Sequence, residues 1–119
     1  MQYLLLIYGE ERAYENATRE QTNEIVAAFM AYSQALSDGK VLVASNRLRP
    51  TSAATTVHIA DGKTKVLDGP FAETKEQLGG YYLIDVKNLD EALKWAAKCP
   101  GAFDGAIEVR AIMDVPMPK

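Results

Sequence analysis

The chain has 119 residues, 48% of them hydrophobic and 24% charged, and a net charge of -3. This is an ordinary globular composition with room for one domain over residues 1–119, and the acidic balance argues against a nucleic-acid partner. No basic leader precedes Leu4–Ile7, and no run approaches the roughly 20 apolar residues that span a bilayer, so neither a signal peptide nor a membrane partner is expected.

One cysteine, Cys99, excludes an internal disulfide and fits a cytoplasmic protein. One histidine and one cysteine are too few for a single-chain zinc site, and no metal or cofactor is expected.

Tyr3 to Tyr8 is a nearly unbroken apolar run and predicts a strand, ended by Gly9 and the charged Glu10-Glu11-Arg12. Thr18 and Gln21 fit a capping box. Ile25, Phe29, Tyr32 and Leu36 then recur at helical spacing up to Asp38-Gly39, a helix of about 16–20 residues. A second strand begins at Val41 and runs toward Arg49, with Pro50 as its limit.

Thr55 to Ala60 alternates, Asp61-Gly62 is a hairpin turn, and Lys65-Val66-Leu67 returns. Gly69-Pro70 then breaks the ladder, and Glu73 to Gln77 reads as one helical turn. Gly79-Gly80 opens a second apolar strand, Tyr81 to Ile84.

Asn88 and Glu91 suggest another capping box. The helix behind them has Leu89, Ala92, Leu93 and Ala96 as its apolar face, with Glu91, Lys94 and Lys98 opposite, and Pro100-Gly101 as its stop. Ile107 to Ile112 is the last strand. Pro116 and Pro118 keep the tail from extending it.

The order is α+β: strand, helix, strand, inserted hairpin, strand, helix, strand. Without the hairpin it is βαββαβ, a ferredoxin-like split βαβ arrangement that centres the two most apolar strands. Both helices then cover one sheet face. Burial of the other against a second copy predicts a homodimer through the open sheet face.

The fifteen residues Asp68 to Tyr82, Asp-Gly-Pro-Phe-Ala-Glu-Thr-Lys-Glu-Gln-Leu-Gly-Gly-Tyr-Tyr, resemble the signature of the DGPF branch of the YCII-related proteins. The opening Met1–Gly9, the Thr55-Thr56-Val57 strand and the closing Ile107–Arg110 are similar as well. The resemblance implies a ferredoxin-like domain that dimerises into an α/β barrel. It also implies either a lyase- or isomerase-type enzyme acting on a small molecule, or a non-catalytic ligand-sensing or protein-binding module linked to an extracytoplasmic-function sigma factor. YCII proteins proper pair an early histidine with an aspartate as an acid–base dyad; residues 10–24 hold no histidine here, so Asp68 lacks that partner.

Asp68 follows a strand and precedes Gly-Pro, where a carboxylate can point into a cleft at a sheet end; as a general base it needs a proton affinity raised by burial against residues such as Phe71 or Tyr8. The favoured reading is structural: its carboxylate accepts from the N–H of Gly69 or Phe71 in an Asx-turn. His58, of the one residue type that changes charge near neutral pH, faces the open side or a partner if Val57 and Ile59 pack under the helices. It is the available replacement for the dyad histidine, or a structural strand residue.

Arg47 and Arg49 share a strand face and either clamp a substrate carboxylate or blunt an edge with charge. Glu73 and Lys75 anchor a polar substrate group if their loop covers a pocket, and otherwise form a solvated surface. Tyr8, Tyr81 and Tyr82 read as core or interface residues, and Cys99 as packing.

Overall fold

The computed structural model describes residues 1–116, so Pro118 lies outside the described residues. The elements run β1 (Gln2–Gly9), α1 (Glu11–Glu15), α2 (Arg19–Asp38), β2 (Leu42–Arg47), a 3-10 turn (Thr51–Ala53), β3 (Thr55–Ala60), β4 (Lys63–Asp68), β5 (Gln77–Asp85), α3 (Leu89–Lys98), α4 (Gly101–Asp104) and β6 (Ala106–Ala111). The fold is α+β. A four-stranded antiparallel sheet has the order β2-β5-β1-β6, and β3 pairs with β4 in a sheet of its own.

The apolar runs of β1 and β5 lie side by side at the centre of the main sheet, with Leu5 opposite Tyr82 and Tyr3 opposite Ile84. Period-two alternation divides their side chains between two faces. Tyr3, Leu5, Tyr82 and Ile84 join Tyr32 and Leu36 of α2, and Ala92 and Ala96 of α3, in one core. Leu4, Leu6, Tyr81 and Leu83 point the other way, are only half-buried, and belong to no core cluster. On that open face Glu108 and Arg110 of β6, across from Leu6 and Leu4, form an ion pair.

Helix α2 starts where its capping box puts it. The Thr18 N–H donates to Gln21 Oε1 at 2.9 Å, and the Gln21 N–H donates to Thr18 Oγ1 at 3.1 Å. Two bonds fix the helix to its surroundings: Tyr32 Oη donates to the Trp95 carbonyl at 2.7 Å, and Ser33 Oγ lies 2.8 Å from Tyr82 Oη. In α3 only half of the expected second box forms, since Asn88 Oδ1 accepts from the Glu91 N–H without a return bond. Its apolar face is also narrower than the sequence predicts. Ala92 and Ala96 are buried, whereas Leu89 and Leu93 remain 49% and 47% exposed, because Trp95 fills the contact with Tyr32 instead.

The structure adds to or departs from the sequence reading at three further points. Glu73 to Glu76 form no helical turn. Thr74 Oγ1 donates to the Glu76 carbonyl and Gln77 Nε2 to the Thr74 carbonyl, side-chain bonds that compete with helix formation. Strand β5 accordingly begins at Gln77. Pro100-Gly101 stops α3 but also opens the short α4. Val57 and Ile59 pack under no helix; they are 58% and 72% exposed on a hairpin whose turn residues, Asp61 and Gly62, both have positive φ, the backbone of a type I′ turn. Among the described residues no helix is long and apolar enough to cross a membrane.

Candidate functional site

The chain reverses after β4 at Gly69, whose φ of +111° is a conformation that side chains disfavour. The Gly69 N–H donates to the Ala54 carbonyl at 2.7 Å, and its carbonyl accepts from Thr56 Oγ1 at 2.8 Å. Both bonds fold the signature loop back over the base of the hairpin.

The far end of the loop is fixed by Gln77. Its Nε2 donates to the Thr74 carbonyl at 2.6 Å, while its Oε1 accepts from the Glu11 N–H at 3.0 Å. Glu11 in turn holds the 3-10 turn: Oε1 accepts from the Thr51 N–H and Oε2 from Thr51 Oγ1, both at 2.7 Å. One carboxylate and one amide thus join the start of α1, the 3-10 turn and the signature loop.

Between the 3-10 turn and the loop lies a cleft of about 340 Å³, lined by Thr51, Ser52, Gly69, Glu73, Thr74 and Gln77 among others, at the small end of small-molecule sites. Its hydrogen-bond chemistry is one-sided. The Thr51 hydroxyl proton is committed to Glu11 and that of Thr74 to the Glu76 carbonyl, so each presents acceptor lone pairs outward. The Gln77 amide is engaged at both ends. Glu73 adds a carboxylate, and Ser52 is the one lining hydroxyl whose proton is uncommitted among the described hydrogen bonds.

The residues singled out from sequence are dispersed. Asp68 ends β4 opposite Thr55 and is exposed; the Gly69 N–H of the expected Asx-turn goes to Ala54 instead. His58 stands opposite Lys65, with its ring 5.9 Å from that of Phe71. Directly paired residues share a sheet face, so Asp68 points with Thr55 to one face of the hairpin and His58 to the other. Within one chain the two form no dyad.

Glu73 lines the cleft, and Lys75 sits in the same loop, exposed. Arg47 and Arg49 do not share a strand face, since β2 ends at Arg47 ahead of the Pro50 break. Neither lines this cleft.

Arg47 acts instead on Tyr14, in a second cleft of about 340 Å³ that includes Glu10, Tyr14, Gln21, Glu24 and Asp104 in its walls. Burial pushes the Tyr14 hydroxyl above its usual range; the Asp104 carboxylate adds to this, and the Arg47 guanidinium opposes it. Tyr14 therefore stays a proton donor at neutral pH. Sequence reasoning passed over Glu11, Thr51 and Tyr14, because the charged Glu10-Glu11-Arg12 reads only as the end of the first strand and the Glu11 bonds reach residues 40 and 66 positions away. Among the described residues no group of three or more His, Cys, Asp or Glu side chains is gathered to hold a metal.

Fold and cleft together define an α+β protein with a small site, richer in side-chain acceptors than donors, beside an Asp-Gly-Pro-Phe loop. The model of the YCII-related domain matches residues 1–116. An uncharacterized protein of Rhizobium meliloti (strain 1021) is 40% identical over 114 residues, 94% of this chain and 92% of that protein. The chain belongs to the YCII-related family.

Proposed function

We propose that this protein is a ferredoxin-like, homodimeric cytoplasmic binder of a small molecule rich in N–H donors, such as an amine, amide or guanidine, held between the 3-10 turn and the signature loop. The observation that carries the reading is the committed protons of Thr51 and Thr74, which leave those hydroxyls as acceptors beside the Glu73 carboxylate. Such a site penalises ligands that present lone pairs, because facing acceptors leave one another unsatisfied. The open face of the main sheet, with Leu4, Leu6 and Leu83 half-buried and unpacked, supports pairing of two copies there.

A thermal-shift screen against matched amines and carboxylic acids tests the chemistry. Amines should raise Tm by mass action and lose that effect in Glu73→Gln; a response confined to carboxylic acids would refute it. For the dimer, Leu6→Arg places a charge in the pairing face and should yield a species of 13.1 kDa in light scattering.

A second reading keeps acid–base chemistry on a small molecule, with Asp68 as the base. It is favoured by the position of Asp68, directly before the cleft-lining Gly69. In this reading a second copy supplies the burial and the proton partner that a single chain withholds. Once a ligand is known, turnover separates the readings: Asp68→Asn abolishes it if Asp68 is the base, and leaves binding intact in either case.

A further inference from the structure

The β3–β4 hairpin joins neither edge of the main sheet and makes no substantial contact with a helix. An isolated two-stranded hairpin is marginally stable in water. One face of this one is aliphatic at its centre: Val57, Ile59 and Val66 are 58%, 72% and 61% exposed, flanked by Thr55 and Thr64 and, at the base of the hairpin, by Asp68. The other face carries His58, Lys63 and Lys65 around one large exposed aliphatic side chain, Leu67. Three branched apolar residues gathered on one side, with all the cations on the other, is the pattern of a strand pair with one buried surface.

The shape of the molecule bears this out. The Cα radius of gyration is 16.6 Å, against about 13.5 Å for a compact chain of this length. With extents of 51 × 49 × 18 Å, the protein is a thin plate from which the hairpin extends as an arm.

We infer that the arm clamps the second copy in the homodimer, its Val57, Ile59 and Val66 face lying on the partner; the inference rests on the dimer reading above. The area of the open sheet face is the argument. Four strands, each six or more residues long, have a footprint of about 400 Å² at the usual strand spacing and rise. A stable interface takes roughly 800 Å² from each partner. The arm contributes about 200 Å² more per chain, centred on three aliphatic side chains that are more than half exposed. A two-fold axis uses both arms, and with the arm the two apolar surfaces of the chain reach about 600 Å² per partner, the lower bound for a stable interface, which the sheet face alone does not reach.

Sedimentation equilibrium of the full chain tests this with three proteins. The wild type should sediment at twice the 13.1 kDa of one chain. The variant Val57→Ser/Ile59→Ser/Val66→Ser, with its circular dichroism checked, should weaken the dimer at least about 100-fold. His58→Ala/Lys65→Ala, on the opposite face of the arm, should stay within about threefold.

A wild-type dimer constant in the Val/Ile variant overturns the arm and leaves the sheet pairing standing; a monomeric wild type overturns both. If the triple variant does not fold, hydrogen exchange of residues 55–68 in the wild type decides. Exchange should slow as concentration is raised through the dimer constant. An arm that exchanges at one rate throughout overturns the inference, in favour of a different protein as its partner.

Discussion

Glu11 holds three segments that are distant in sequence, so its removal should register in both stability and binding. Glu11→Ala deletes two charge-assisted hydrogen bonds, to the Thr51 N–H and Oγ1. Such bonds contribute about 1.5–3 kcal/mol each when dry. Glu11 is half-buried, and with solvent screening discounted the pair amounts to about 2 kcal/mol, a fall in Tm of roughly 8 °C for a domain of this size.

Thr51→Val removes one of the two bonds and should cost about 1 kcal/mol. The double variant should then cost about 2 kcal/mol, a coupling of about 1 kcal/mol. Urea denaturation at one fixed protein concentration measures this, since self-association adds to stability. Additive losses, or a Glu11→Ala cost below about 0.5 kcal/mol, would refute the clamp.

Gly105→Ala should be among the most damaging single changes, at about 3 kcal/mol or more by urea denaturation, because the new Cβ would overlap the Tyr8 carbonyl, which is backbone and cannot swing aside. Burial pushes the Tyr32 and Tyr82 hydroxyls above 10, with the Ser33 bond opposing part of the shift at Tyr82. Above that pH the unfolded chain loses these protons first, so stability should be flat below about pH 10 and fall by up to about 1.4 kcal/mol per pH unit for each proton retained; Tyr32→Phe should flatten that fall in urea midpoints taken from pH 9 to 11. Burial also pushes the Cys99 thiol up, offset in part by a backbone bond at Gly101; its reaction with a disulfide reagent should be at least about 100-fold slower in the native protein than in urea.

Much of the fold was legible because its signals are local. The Thr18/Gln21 box works within one turn of helix, and the Asp61-Gly62 turn selects its hairpin by backbone preference alone. The central placing of β1 and β5 followed from their apolar runs, since an inner strand is shielded on both edges. The misreadings arose where a tertiary contact outweighed a local pattern. Trp95 displaced Leu89 and Leu93 from the core contact, and the Thr74 and Gln77 side chains bonded local carbonyls, those of Glu76 and Thr74, in place of a helical turn.

For the site, the sequence by itself determined that a loop lies here: Gly69-Pro70 cannot continue a strand ladder, glycine tolerates the positive φ found at Gly69, and the run from Asp68 to Tyr82 is distinctive in any context. Only the tertiary structure decided which side chains meet across the cleft. The register of six paired positions put Asp68 and His58 on opposite faces of the hairpin, and hydrogen bonds spanning 40 and 66 residues brought Glu11, Thr51 and Gln77 together. A single residue states its own backbone preferences, but its partners are set by where the whole chain folds.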